Sequence, residues 1–366
     1  MIGERGSLGE VPPQLADVWA WPGAGTVPDM ISARARIRST MHPDGFHGVG
    51  AAAPYFEGWY VKLVGADRAA RRAVIPGVFK GQPGAGGHVI DEAFVQVLDG
   101  ATGRSWYHRY DADEFTADPD RFDVRVGPNR FSGDGVRLDL PDGSLRGEVR
   151  FTTPLDPWPV SYRSPGVMGW YAWMPFMECY HGVCSFGHDL AGELELTGQR
   201  LDLARGRGYL EKDWGQAFPA GYVWMQSNHF SDPGTCLMGS IALIPWLTSE
   251  FRGFLVGLKH RGELLTFATY TGSKTTSLHI DDEHVRWSMR DRAGNRLELE
   301  AERRGGALLH APIRTEMHKR VEETLDARIR LQLFDPRGRL ALDDVGEVAG
   351  LEVHGDLPRL LATSGR

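Results

Sequence analysis

Apolar and polar residues alternate along much of this chain with a period of two. Ala327-Arg328-Ile329-Arg330-Leu331-Gln332-Leu333 and Arg296-Leu297-Glu298-Leu299-Glu300-Ala301 each put apolar side chains on one face and charged ones on the other, the pattern of an antiparallel strand with one wet face. Shorter runs of the same kind predict strands at 58–64, 89–98, 147–151, 193–197, 222–230, 253–259 and 264–270. Turn signals such as Asp99-Gly100, Asp142-Gly143 and Arg292-Ala293-Gly294-Asn295 separate the runs. Helical periodicity is scarce, so the chain reads as all-β with few short helices. An aromatic-rich strand opens each half, Glu57 to Lys62 and Tyr222 to Asn228. That predicts two antiparallel β-barrels or sheets packed together: a first unit over 41–200 and a second over 201–366, after an N-terminal extension over 1–40.

Composition narrows the function classes. The chain has 366 residues, 42% of them hydrophobic, which is ample for a core. A net charge of -7 argues against a nucleic-acid partner, because phosphate binding relies on clustered Lys and Arg. Arg34, Arg36 and Arg38 alternate with Ala35 and Ile37 and read as one solvated strand face. Cys179, Cys184 and Cys236 lack any paired spacing, which predicts free thiols in a reducing compartment. Residues 1 to 30 resemble neither a signal nor a transit peptide, so a cytoplasmic location is expected. The longest apolar run, Cys236 to Leu247, is too short to span a bilayer and contains Gly239 and Pro245. Any membrane contact would then be a transient one at the surface, for substrate pickup.

Candidate chemistry concentrates in Gly206-Arg207-Gly208-Tyr209-Leu210-Glu211-Lys212-Asp213-Trp214-Gly215-Gln216-Ala217-Phe218-Pro219 and the Tyr222-to-Phe230 stretch that follows. Three ionisable side chains among aromatics are costly to bury unless they pair or their pKa values move, and a moved pKa marks a candidate acid or base. Glu211 and Lys212 also read as an ion pair at a strand end, Asp213 as a turn cap, and Glu57, between Phe56 and Gly58, as a paired structural carboxylate. Gln226 and Asn228 share one strand face, suited to holding a phenol or quinol oxygen, or to a polar interior filled with water. His181 and His188 invite a metal reading with Cys179 and Cys184, but the spacing fits no zinc pattern and seven residues along a strand point the two rings oppositely. No metal is expected, and His181 reads as a hydrogen-bonding histidine. The Gly81-to-Gly87 stretch and Gly272-Ser273-Lys274-Thr275 are not phosphate loops, so no cofactor is expected.

The Glu211-Lys212-Asp213-Trp214-Gly215 core, followed by Phe218-Pro219 and Trp224-Met225-Gln226-Ser227-Asn228, resembles the signature of the tocopherol cyclase family. Pro54-Tyr55-Phe56-Glu57-Gly58-Trp59-Tyr60-Val61-Lys62 resembles that family's Phe-Phe-Glu-Gly-Trp-Tyr-x-Lys strand, and Met168-Gly169-Trp170 with Met177-Glu178-Cys179-Tyr180-His181-Gly182 resembles its bacterial members. The resemblance implies a pair of lipocalin-like units related to carotenoid hydratases. It also implies cofactor-independent ring closure of a prenylated hydroquinone to a chromanol. That reaction protonates an alkene while a phenol oxygen attacks, so it needs a carboxyl kept neutral and aromatic faces for the cation. On this reading Glu57, Glu211 and Asp213 are the candidate acids, and Trp59, Tyr60, Trp214, Trp224, Lys212, Gln226, Asn228 and His181 contact the substrate. The same residues suit a hydratase or cyclase of another isoprenoid or polyketide alkene, or a lipocalin-like carrier of a hydrophobic small molecule.

Overall fold

A computed structural model describes residues 33–84 and 86–365. The chain builds a 12-stranded sheet from the strands between Tyr55 and Gly215, then a 10-stranded sheet from those between Gly221 and Gly355. All strand pairing within the sheets is antiparallel, as the alternation predicts. Each sheet follows an open path with two edges, so neither closes into a barrel. No described helix is long and apolar enough to cross a membrane.

The two motif strands, Tyr55–Val64 and Gly206–Gly215, pair at the middle of the first sheet. At the middle of the second sheet, Gly221–Ser227 pairs with Leu340–Gly355, which pairs with Met317–Phe334. Alternate residues of a strand face opposite ways, and here both faces are covered. Trp59, Val61, Leu63 and Leu210 pack into the first sheet's own core, and Val223 and Met225 into that of the second. Tyr60, Tyr209, Tyr222 and Trp224 meet in a third cluster between the sheets.

Three expectations need correction. Residues Ala33–Met41, read as a strand through Arg34, Arg36 and Arg38, form an α-helix; Ala, Arg and Met are strong helix formers, and Ile37 is the one β-branched residue before Thr40. The strand expected to reach Tyr270 ends at Ala268, because Thr269–Thr271 makes a 3-10 turn closed by Gly272 at φ 78. The strand expected to reach Phe230 ends at Ser227. The first 32 residues of the expected N-terminal extension lie outside the described residues.

Candidate active site

Strand register assembles the site. Tyr60 stands opposite Glu211 and Gly58 opposite Asp213 across the motif pair, while His181 stands opposite Asp213 on its other side. In the facing sheet Trp224 stands opposite Glu352, and Glu352 opposite Glu323. Directly opposed residues of antiparallel strands share a face, so these two rows look at each other across the gap between the sheets. A cavity lies there, lined by both rows and extended by apolar walls that include Met168, Tyr171, Met177 and Phe251. Trp224 packs closely against Gly350, where an added Cβ would come within 2.7 Å of its ring.

The cavity carries two ionisable groupings of opposite character. His181 Nδ1 is 2.7 Å from Asp213 Oδ1, and its Nε2 is 3.4 Å from Glu211 Oε2, an ion-pair distance without hydrogen-bond geometry. Burial alone would lower the imidazolium, but the charges of Asp213 and Glu211 outweigh it and push His181 up to about 10. Glu211 also accepts hydrogen bonds from the Tyr209 hydroxyl at 2.5 Å and from Trp224 Nε1 at 3.3 Å. His181, Glu211 and Asp213 place one donor atom each within 4.8 Å of one another, a set able to hold a metal ion. The sequence reading tested His181 only against His188 and the cysteines; its partners come from the neighbouring strand, which spacing along one strand does not reveal. In this arrangement both ring nitrogens already face carboxylates, so a bound metal would have to displace one of those contacts.

The second grouping is a carboxyl pair. Glu323 is fully buried, and burial with the neighbouring Glu352 holds its pKa well above the usual carboxylate range. Burial likewise lifts Glu352 to about 7, with Asp213 and Glu211 adding to the rise. The two residues stand directly opposite each other, so at neutral pH the pair does not ionise together. Tyr60 donates its hydroxyl to Glu323 Oε1, and Tyr222 donates to Glu352 Oε2 at 2.6 Å. Glu323 Oε2 has no donor among the described residues, which fits an oxygen that carries the proton itself.

Of the residues singled out in the sequence, Tyr60, His181, Glu211, Asp213 and Trp224 line the cavity. Glu57, Trp59, Lys212 and Trp214 do not: they occupy the opposite face of the same two strands. There Glu57 pairs with Lys212 at 2.5 Å with both side chains fully buried, and accepts from the Tyr55 hydroxyl and the His47 amide. Lys212 donates to the Gly45 carbonyl and sits 4.8 Å from the Trp59 ring and 4.7 Å from that of Trp214. This group clamps the 44–47 loop onto the sheet. Gln226 and Asn228 also lie outside the cavity and bridge the sheets: Gln226 Oε1 accepts from Lys62 Nζ at 2.8 Å, and Asn228 Nδ2 donates to the Gly208 carbonyl at 2.9 Å. Glu323 and Glu352 escaped the sequence reading. Glu323 had a signal: it occupies the apolar register of Val321 and Leu325, where a carboxyl must be buried.

A family model described as tocopherol cyclase-like matches residues 142–355, which include His181, Glu211, Asp213, Glu323 and Glu352 but not Tyr60. The chain is 25% identical to "Probable tocopherol cyclase, chloroplastic" of Oryza sativa subsp. japonica, over 88% of its own length and 80% of that protein's. It is 24% identical to "Tocopherol cyclase, chloroplastic" of Zea mays, over 91% and 82% of the two lengths. Among solved structures, CghA shares the fold with a TM-score of 0.54 and 13% identity, covering 92% of this chain and 95% of that one. The chain belongs to the tocopherol cyclase-like family.

Proposed function

We propose that this protein is a cofactor-independent cyclase that closes the chromanol ring of a prenylated hydroquinone, with Glu323 as proton donor. The observation that carries the reading is the carboxyl pair: an alkene is a very weak base, and Glu323 is a buried carboxyl held neutral in the wall of an apolar cavity. Tyr60 fixes Glu323 through Oε1 and leaves Oε2 to deliver the proton. Transfer breaks the alkene π bond, forms one C–H bond and leaves a tertiary cation beside the Trp224 and Tyr60 rings, which pack edge to face with centroids 5.4 Å apart. The phenol oxygen then attacks the cation. Once the C–O bond forms, that oxygen is an oxonium and strongly acidic, so a carboxylate suffices to take its proton; Glu211, beside the His181 imidazolium, is that acceptor. One C–H and one C–O bond replace a π bond and an O–H bond, so substrate and product are isomers and no oxidant or cofactor enters.

Incubation of the purified protein with a prenylated hydroquinone tests this. The expected product has the mass of the substrate and the retention of a chromanol. A product heavier by one water would assign alkene hydration to the same acid, and a substrate returned unchanged but still bound through gel filtration would mark a carrier.

A further inference from the structure

An aromatic ladder that the proposed reaction does not use leads from the cavity wall to the protein surface. Tyr171 and Phe251 line the cavity, with ring centroids 6.2 Å apart. Tyr171 touches Trp170 at 4.2 Å, Trp170 meets Trp246 at 6.3 Å, and Trp246 meets Phe176 at 5.1 Å. This ladder runs from the cavity to solvent: Trp170 is 41% exposed and Phe176 39%, and at the same end Leu247 is 75% exposed on the tip of the Cys236–Trp246/Ser249–His260 hairpin. Tyr162, 73% exposed, belongs to the loop whose carbonyl accepts from Trp173 Nε1 at 3.0 Å. Two loops, one from each sheet, therefore raise large apolar tips beside the same end of the ladder.

Charge is depleted at this rim. Residues 160–177 contain one charged side chain, Arg163, and residues 240–249 contain none, in a chain of net charge -7. Among the described neighbours, Arg36 donates to the Trp173 carbonyl at 2.8 Å, and Glu250 is neutralised by Arg359. Exposed Trp, Tyr, Phe and Leu tips with acids kept away and a basic residue alongside are the composition that partitions into the headgroup boundary of a bilayer.

We propose that this rim, formed by Trp170, Phe176 and Leu247, docks the protein on a lipid bilayer surface, so that an apolar substrate enters the cavity from the membrane without crossing water. The need for such a route rests on the cyclase reading; the docking itself does not. The continuity of the ladder with the cavity wall and the depletion of charge favour lipid over a protein partner, because a rim facing lipid lets dissolved apolar molecules pass along it, whereas a protein seated there would cover it.

Flotation of the full chain with phosphatidylcholine vesicles, with and without phosphatidylglycerol and in the absence of any substrate, tests the docking. Wild-type protein is expected to float with the vesicles, and lipids brominated near the headgroup are expected to quench its tryptophan fluorescence. The triple variant Trp170→Ser/Phe176→Ser/Leu247→Ser changes no residue of the cavity lining; it is expected to stay folded by circular dichroism, at a somewhat lower melting temperature, and to lose at least tenfold in partitioning. Wild-type protein that stays in the aqueous fraction, or a folded variant that floats equally well, would overturn the proposal. So would lipid-free self-association that the variant abolishes, which would assign the rim to a second copy of the chain. A short-tailed, water-soluble prenylhydroquinone separates the two readings: if wild-type protein floats but leaves this substrate unchanged, the cyclase reading fails and the docking stands.

Discussion

Glu323 and Glu352 face each other directly across the Met317–Phe334 and Leu340–Gly355 strands, and each accepts a hydrogen bond from a tyrosine hydroxyl, Tyr60 for the first and Tyr222 for the second. Two directly opposed carboxyls cannot both ionise in a buried setting, and the proton that Glu323 keeps is the acid the site offers.

Removing the proton donor should leave the pocket intact. Glu323→Gln is expected to lower kcat by about 10²–10⁴-fold, the usual weight of a general acid, with substrate affinity unchanged when measured by equilibrium binding. Because Gln needs no proton taken up on folding, the same variant should melt at a higher temperature than wild type at neutral pH.

The pH profile should carry the signature of the pair. With Glu352 neutral, the carboxylate left on Glu323 after proton transfer accepts a hydrogen bond from it; with Glu352 ionised, transfer would create two adjacent charges. Turnover is therefore expected to fall as pH rises through about 7, and Glu352→Gln should remove that limb. Stability has the same sign. The folded pair keeps a proton that the unfolded chain has lost above the ordinary carboxylate value of 4.5, so stability falls as pH rises from there to about 7. Melting temperatures across this range should decline more steeply for wild type than for Glu352→Gln.

Glu57 and Lys212 should behave as structure. Either Glu57→Gln or Lys212→Met alone leaves a buried charge without its partner, a loss of about 3–5 kcal/mol, whereas the double substitution should recover much of the stability. Chemical denaturation of the four proteins checks this, and kcat per folded molecule should change little.

His181 should titrate far from an ordinary histidine. Its imidazolium is held up to about 10 by Asp213 and Glu211 against the effect of burial, so its ring proton signal should remain that of the charged form through neutral pH. Asp213→Asn removes one of those charges and is expected to bring the titration down into the observable range by NMR.

The His181–Glu211–Asp213 set also defines a metal test. In a cofactor-independent reaction, dialysis against a chelator should leave turnover unchanged, and added divalent cations should inhibit if they displace the His181 contacts.

The fold was readable because wet-faced strands such as Arg296–Glu302 advertise their period. The motif strands were also recognisable, but which of their faces meets the cavity was not. Glu57 and Tyr60 belong to one strand that is buried on both sides, so neither face looks different in sequence, and only the packing of a second sheet against Tyr60 separates them. Glu211 and Lys212 part company in the same way, one to the cavity and one to the loop clamp. The carboxyl pair depends on register between strands whose paired residues lie 29 positions apart, with bulges intervening, and no local pattern encodes that. The helix at Ala33–Met41 mimicked a strand because alternating Arg and apolar residues over five positions fit either period.

The most direct test of the central claim is turnover of a prenylated hydroquinone in heavy water by wild type and Glu323→Gln. The account predicts a chromanol carrying one deuterium at the former alkene CH, the ring carbon next to the one that bonds oxygen, formed by wild type and nearly absent with the variant. A chromanol without carbon-bound deuterium, or equal turnover by the two proteins, would contradict it.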